Sequence, residues 1–144
     1  MITDTKQAYG QALTNLRGDG LNVAVVDIDL MRITGTKIFK EQYPDNHVNA
    51  GIAEQNAVAV AAGISLMGYV VFVTTFANFI SLRAADQNVN TVCYNNLNVK
   101  LVGTYAGITS GKNGGTHISV MDVNVFRAMP NMSVIDAGDT NELM

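Results

Sequence analysis

A long stretch without charged residues most constrains how this chain can fold. No charge follows Glu54 until Arg83, and the residues between them are mainly apolar. Interruptions such as Gly63 and Gly68 favour a helix, a turn and a strand of a buried core over a membrane span. Apolar residues fall on every side of a helix over 57–67, so we expect that helix to be buried on most of its faces.

Glu54 at the start of this helix has two interpretations. Gly51 can act as the N-cap, with Glu54 at the third helical position reaching back to the cap N–H. Alternatively, the carboxyl group is held in a dry cleft to exchange a proton with a ligand. This segment alone leaves both open.

Helix and strand patterns alternate along the whole chain. The predicted helices cover 5–17, 36–42, 57–67, 77–90 and 120–128, with another starting at Thr140, and the predicted strands cover 21–28, 48–49, 69–74, 99–104 and 133–135. Segments 29–35 and 107–115 are predicted loops. β-Branched strands that alternate with helices are typical of parallel sheets. The pattern therefore predicts one α/β domain in three layers, with a mainly parallel sheet and helices on both faces.

The composition limits the partners and the compartment. Apolar residues make up 48% of the 144 residues and charged residues only 15%, which predicts a surface covered by partner chains. A net charge of −3 without a basic run disfavours nucleic acid and anionic membranes. The single cysteine, Cys93, is expected to be a buried small residue in a reducing compartment. The N-terminal residues carry no signal-peptide pattern, so we expect a cytoplasmic protein.

Two groups of side chains follow predicted core strands, where open α/β sheets bind ligands. Phe76 and Phe79 can hold a flat heteroaromatic ligand, although ordinary core packing also explains such a pair. His117 ends a glycine-rich loop and can exchange protons near neutral pH, although a lone histidine is more often structural. The spacing alone does not decide between these alternatives.

Several short motifs occur in a fixed order along the chain. They are GIAEQN at 51–56, TTFANF at 74–79, RAADQ at 83–87, LNVKLVG at 97–103, GGTH at 114–117 and RAMPNMSVI at 127–135. Together, from about Val23 to Asp139, the chain resembles the pyrimidine-binding domain of the transketolase family of thiamine diphosphate enzymes. The resemblance is strongest for the C-terminal-section subunit of split transketolases. It implies the thiamine diphosphate-binding fold and the transfer of a two-carbon ketol unit between a ketose and an aldose.

The resemblance implies a catalytic role for Glu54. The matching glutamate hydrogen-bonds N1′ of the cofactor's aminopyrimidine, and a proton shared there lets the ring's amino group remove the proton from C2 of the thiazolium. A carboxyl group in that role needs a dry pocket that favours its neutral form. The apolar helix behind Glu54 can supply that pocket, and capping can coexist with catalysis.

The resemblance also implies roles around the cofactor. Phe76 and Phe79 match the rings that stack around the aminopyrimidine. Asp29 and Ile52 match positions that border the cofactor. His117 matches a catalytic loop histidine that helps proton transfer on the substrate.

Three further positions match residues near the substrate. Arg83 lies where related synthases carry an arginine, and Tyr105 and Asn113 replace a histidine and an aspartate that usually contact the sugar. Leu82 replaces a third stacking ring. The chain also stops at Met144, before the family's last helix and strand. These departures predict either an unusual sugar or a truncated domain.

A binding motif for Mg²⁺ and diphosphate is missing from the sequence. Gly18-Asp19-Gly20 imitates one but precedes the strand over 21–28, so we interpret it as a turn at the opposite edge of the sheet. No metal ligand is therefore expected in this chain. The resemblance implies that a separate diphosphate-binding subunit holds Mg²⁺ and the diphosphate of thiamine diphosphate. It also implies that this chain is inactive alone and forms a homodimer within a heterotetramer.

Two alternatives remain open. The first is a subunit of the 1-deoxyxylulose-5-phosphate synthase type or the keto-acid dehydrogenase β-subunit type. The synthase type shares the GIAEQ motif, although LNVKLVG and RAMPNMSVI favour transketolase. The alternative of another class is a truncated, non-catalytic module that only assembles with its relatives.

Overall fold

A parallel sheet of four strands forms the centre of the protein in a computed structural model that describes residues 4–144. The strands are β1 (Val23–Asp27), β2 (His47–Asn49), β3 (Val70–Phe76) and β4 (Val99–Thr104). Their order is β2-β1-β3-β4, and every neighbouring pair is parallel. Residues 1–3, part of the N-terminal stretch in which we find no signal-peptide pattern, lie outside the described residues.

Helices cover both faces of this sheet. They are α1 (Thr5–Gly18), α2 (Met31–Thr34), α3 (Lys37–Gln42), α4 (Glu54–Ser65), α5 (Ala85–Gln87), α6 (Asp122–Arg127) and α7 (Thr140–Leu143). No helix within residues 4–144 is long and apolar enough to cross a bilayer.

The strands are buried from both sides because their side chains alternate between two hydrophobic clusters. On one face of β1, Ala24 and Val26 pack in a cluster that includes Val58 of α4. On the other face, Val23 and Val25 pack with side chains of α1 and α3. The predicted three-layer α/β fold is confirmed.

Two wide π-helical turns flank α5, at Phe79–Arg83 and Asn88–Cys93. Buried side chains satisfy backbone carbonyl groups at the first of them. Ser81 Oγ donates to the Ala77 carbonyl at 2.7 Å, and Asn88 Nδ2 donates to the Ile80 carbonyl at 2.7 Å. The prediction of a helical segment over 77–90 is confirmed, but the segment is π-helical in part and continues to residue 93.

Helix α4 is buried on one side only, so the prediction of burial on most faces is wrong. Ala57, Val58 and Ala61 are fully buried, whereas Ala59 and Gly63 are exposed. Apolar residues on every side of a helix do not show which sides are covered. One side of α4 packs on the sheet, and residues 4–144 leave the other open.

The predicted N-cap at Gly51 is also wrong. Helix α4 begins at Glu54 with Ala53 as its N-cap, and no side chain caps it. Gly51 has a φ of +73°, and its N–H donates to Asn49 Oδ1 at 3.0 Å. The left-handed turn at Gly51 therefore delays the helix, and Glu54 occupies its first position rather than its third.

Two other local predictions differ from the structure. The predicted loop over 29–35 contains the single turn α2, which starts where the N–H of Leu30 donates to Asp27 Oδ1 at 2.6 Å. The predicted strand over 133–135 does not form, because that segment pairs with no strand of the described sheet and is exposed. Such a short apolar run does not distinguish a strand from other extended chain.

Candidate active site

The predicted site residues gather at one edge of the sheet. Because all four strands are parallel, their carboxyl ends meet there, which is where open α/β sheets bind ligands. Phe76 is the last residue of β3, Tyr105 follows β4, and Glu54 begins the helix that follows β2.

Glu54 is a buried carboxyl group that faces one cation. It is only 6% exposed, and its Oε1 accepts a hydrogen bond from Nη1 of Arg83 at 3.1 Å. The guanidinium carbon of Arg83 lies 3.6 Å from the centroid of the Phe79 ring. A planar, nitrogen-rich group therefore stacks on Phe79 and contacts Glu54 at the same time.

Four rings form a cluster that is linked to Glu54 through Arg83. The centroid of Phe76 lies 5.6 Å from that of Phe79, 5.1 Å from that of Tyr105 and 5.5 Å from that of His117. His117 and Phe79 are 5.0 Å apart. Phe76 and Phe79 are both buried, so side chains of the chain itself cover their faces.

The glycine-rich loop is fixed over this cluster by hydrogen bonds. Asn78 Nδ2 donates to the Thr116 carbonyl at 3.0 Å, and the Ser119 N–H donates to the Gly107 carbonyl at 3.0 Å. The Thr116 hydroxyl and Nδ1 of His117 lie 2.9 Å apart. These contacts hold the imidazole of His117 against the two phenylalanine rings.

Asp29 belongs to a second group on the β1–β2 side of the same edge. It has a φ of +59°, its N–H donates to Asn49 Oδ1 at 3.1 Å, and its Oδ1 accepts from Asn49 Nδ2 at 3.1 Å. Ile52 follows in the turn before α4 and is 78% exposed. None of the hydrogen bonds or ring contacts among residues 4–144 joins this group to the ring cluster.

Asn113 stays apart from the cluster as well. It lies exposed in the 3₁₀ turn Gly111–Asn113, and its N–H donates to the Ser110 carbonyl. None of the side-chain hydrogen bonds within residues 4–144 links it to the rings or to Glu54. The predicted set thus divides into an acid–aromatic cluster, the Asp29 group and an isolated loop residue.

Sequence reasoning missed Asp27, a fully buried carboxylate at the end of β1. It accepts hydrogen bonds from the Leu30 N–H and the Thr36 hydroxyl, each at 2.6 Å, and from the Thr34 hydroxyl at 3.4 Å. These bonds fix the turn that carries Asp29. The available signal was an acidic residue inside a β-branched run. Such a residue is buried with its strand, and a buried carboxylate needs several hydrogen-bond donors.

Other predicted features lie away from the cluster. Asp19 is exposed in a turn between α1 and β1, as predicted. Cys93 is buried, also as predicted, and burial raises the pKa of its thiol. Within residues 4–144 no three His, Cys, Asp or Glu side chains lie close enough to hold a metal ion.

An open groove of about 510 Å³ lies elsewhere, and its lining includes none of the predicted site residues. It is lined by Val123, Arg127, Met132, Val134 and Asp136. The ring cluster, in contrast, is filled by its own side chains.

These features define a parallel α/β domain with an acid–aromatic site at the carboxyl edge of its sheet. Residues 2–144 match the model of a protein family described as "Transketolase, pyrimidine binding domain". The chain belongs to this family.

Relatives and a solved structure agree with the assignment to this family. Over 134 residues the chain is 42% identical to a "Putative transketolase C-terminal section" of Methanocaldococcus jannaschii, covering 93% of this chain and 42% of that relative. Over 121 residues it is 41% identical to the 6-deoxy-6-sulfo-D-fructose transketolase subunit SqwH of Clostridium sp., covering 84% of this chain and 38% of that protein. A solved structure described as "Split gene transketolase, inactive beta4 tetramer" superposes with a TM-score of 0.84 at 38% identity, covering 98% of this chain and 45% of that one. The chain therefore spans less than half the length of each.

Proposed function

We propose that this chain is the pyrimidine-domain subunit of a split transketolase-like enzyme, which transfers a two-carbon ketol unit between a ketose and an aldose. The observation that carries this proposal is that the buried carboxyl group of Glu54 and the Phe79 ring contact the same flat group, the guanidinium of Arg83. The same two groups already hold a planar guanidinium, so their geometry fits the aminopyrimidine of thiamine diphosphate. When bound, that cofactor would supply an electron sink for the two-carbon unit.

Each side chain has a distinct task in this proposal. Glu54 shares a proton with N1′ of the aminopyrimidine, and the rings of Phe76 and Phe79 pack against the aminopyrimidine ring. His117 holds or moves a proton at the substrate's oxygen atoms.

The remaining site residues border the ligands. Asp29 and Ile52 line the side of the cofactor nearest β1 and β2. Arg83, Tyr105 and Asn113 contact the sugar, where Asn113 can donate and accept hydrogen bonds without carrying charge.

The diphosphate half of the cofactor requires a partner in this proposal. A second subunit would hold Mg²⁺ and the diphosphate, and this chain, as one pyrimidine-binding domain, would pair with its own copy in a cytoplasmic heterotetramer. Support comes from the low charged content of 15% and from the open side of α4, with Ala59 and Gly63 exposed. The split-gene transketolase that superposes on this chain is an inactive β4 tetramer, which also supports a chain that is inactive alone.

The decisive experiment replaces Glu54 by glutamine in the reconstituted two-subunit enzyme. We expect kcat/KM with a ketose donor to fall about 10²- to 10⁴-fold, the range for an essential proton-transfer group. Glu41→Gln is the matched control, because Glu41 is exposed and pairs only with Lys37 in the structure. Full turnover by Glu54→Gln would contradict the proposal.

The same assay separates the alternatives. Turnover of pyruvate in place of a ketose or hydroxypyruvate would favour a 1-deoxyxylulose-5-phosphate synthase-like or keto-acid dehydrogenase β-like subunit. If neither thiamine diphosphate binding nor turnover occurs with the partner and Mg²⁺ present, the non-catalytic assembly module is favoured instead.

A further inference from the structure

Arg83 occupies the space in which Glu54 and Phe79 would meet a ligand. We propose that its guanidinium is an internal occupant of the ring site, which closes the site until the aminopyrimidine of thiamine diphosphate displaces it. This inference rests on the proposed function, since it assigns a competitor to the same pocket.

The geometry places the guanidinium in contact with both groups that would hold the aminopyrimidine. Its carbon lies 3.6 Å from the Phe79 centroid, which is a stacking distance, and its Nη1 lies 3.1 Å from Glu54 Oε1. His117 lies 5.0 Å from Phe79, and Phe79 as a whole is only 7% exposed. A second flat group therefore cannot stack on Phe79 unless Arg83 or His117 moves.

Hydrogen-bond polarity gives Glu54 a different role with each occupant. A guanidinium has only donors, so Glu54 must accept from Arg83. The unprotonated N1′ of an aminopyrimidine has a lone pair, so Glu54 must donate a proton to it. One carboxyl oxygen cannot do both at once, but Oε2 can donate while Oε1 accepts. What makes the two occupants exclude each other is that both need the face of Phe79 that the guanidinium covers.

The exposure of the two partners indicates which of them moves. The side chain of Glu54 is 7% exposed, whereas that of Arg83 is 50% exposed. Arg83 can swing into water, where its charge is well solvated, while Glu54 stays at the first position of α4. This places the moving part on the wide turn Phe79–Arg83.

The test is the affinity of the reconstituted enzyme for thiamine diphosphate in the presence of Mg²⁺, measured by titration calorimetry. We expect Arg83→Met to lower the Kd roughly three- to tenfold, because the apparent affinity no longer includes the cost of opening the site. Arg17→Met is the matched control, since Arg17 also lies over a ring, that of Tyr43 at 5.8 Å, near the opposite edge of the sheet. Its Kd should equal that of the unchanged protein.

The outcomes separate this inference from the proposed function. If the cofactor binds but Arg83→Met has an unchanged or higher Kd, the inference is overturned and the proposed function stands. If no form binds the cofactor, both fail. A second readout follows the ¹⁵N-labelled side chain of Arg83 by NMR, where the cofactor should shift its Nε–H signal to that of a free arginine, and an unmoved signal on saturation would also overturn the inference.

Discussion

Tyr9 and Thr74 make the side-chain hydrogen bond that joins α1 to the centre of the sheet. The two oxygen atoms lie 2.7 Å apart, and both residues are buried. Burial raises the pKa of the Tyr9 phenol, an effect that the hydrogen bond to Thr74 reduces and the nearby charge of Asp27 increases. The buried phenol of Tyr9 therefore keeps its proton at a pH at which the phenol of the unfolded chain loses it.

The raised pKa of Tyr9 predicts a loss of stability in alkali. Above pH 10.0, the ordinary pKa of tyrosine, the unfolded chain releases a proton that the folded chain retains, so the free energy of unfolding should fall as the pH rises. Tyr9→Phe should remove this part of the slope and cost about 1 kcal/mol at neutral pH, where the hydrogen bond is lost. Urea denaturation between pH 8 and about 11 checks both, and equal slopes in the two proteins would refute the explanation.

At this scale, sequence reasoning predicted part of the cluster but not how its residues pair, and Asp29, Ile52 and Asn113 lie outside it. Phe76, Phe79 and His117 were predicted at the edge of the sheet and are in contact there. The pairing of Glu54 with Arg83 could not be predicted, because it joins a helix start to a π turn whose geometry no periodicity reveals.

At the scale of the elements, Gly103 fixes how closely β4 approaches the chain after β3. A Cβ at this position would lie 2.9 Å from Ala77 Cα and 3.0 Å from Ala77 Cβ. Ala77 is buried directly after Phe76, so β4 has no free space into which it can move. The close approach brings Tyr105 onto the Phe76 ring.

Gly103→Ala should therefore destabilise the protein by about 1–3 kcal/mol, the usual cost of overpacking a core. Gly63→Ala is the matched substitution on α4, where an added Cβ meets nothing within 4 Å. It should instead stabilise the chain by up to about 1 kcal/mol, because alanine loses less entropy in a helix. Urea denaturation of both variants checks the two signs, and a Gly103→Ala as stable as the unchanged chain would show that β4 can shift.

The main elements were predictable because their periodicities differ. The strand over 99–104 was predicted with the bounds that the structure gives, and the other core strands differ from prediction by a few residues at most. The prediction of a strand over 133–135 was wrong, because a strand forms only where a neighbouring strand pairs with it. The π-helical turns around α5 were not predicted, because buried side chains such as Ser81 and Asn88 stabilise them through tertiary contacts that the local sequence does not show.

At the scale of the whole molecule, stability should be greatest in the middle of the sheet. Strands β1 and β3 each pair with a strand on both sides and carry helices on both faces. Strand β2 is a three-residue edge strand, and residues 133–138 are exposed outside the sheet.

Amide hydrogen exchange should reproduce this gradient. Amides of β1 and β3 should exchange only through global unfolding, while those of β2 and of 133–138 should exchange through local opening and so much faster. Mass spectrometry of peptides from exchanged protein measures this directly. Protection of 133–138 equal to that of β3 would contradict the described topology.

The three layers could be predicted from the alternation of helices and strands, but the open side of α4 could not. Whether an apolar helix face is covered depends on what packs on it, and the chain's own sequence does not state that. The same limit applies to the site, because the contacts of Arg83 and His117 with the Phe79 ring depend on how distant segments fold together.

The parallel arrangement also leaves an edge that is suited to attaching labels. Exposed turns at Asp19, Gly68 and Asn96 lie at the amino ends of β1, β3 and β4. A seven-residue strand such as β3 is about 20 Å long at the usual rise per residue. Dyes, affinity tags or surface tethers attached at those turns would remain roughly that far from Glu54. The protein can therefore be labelled or immobilised at one edge of the sheet without covering the site at the other.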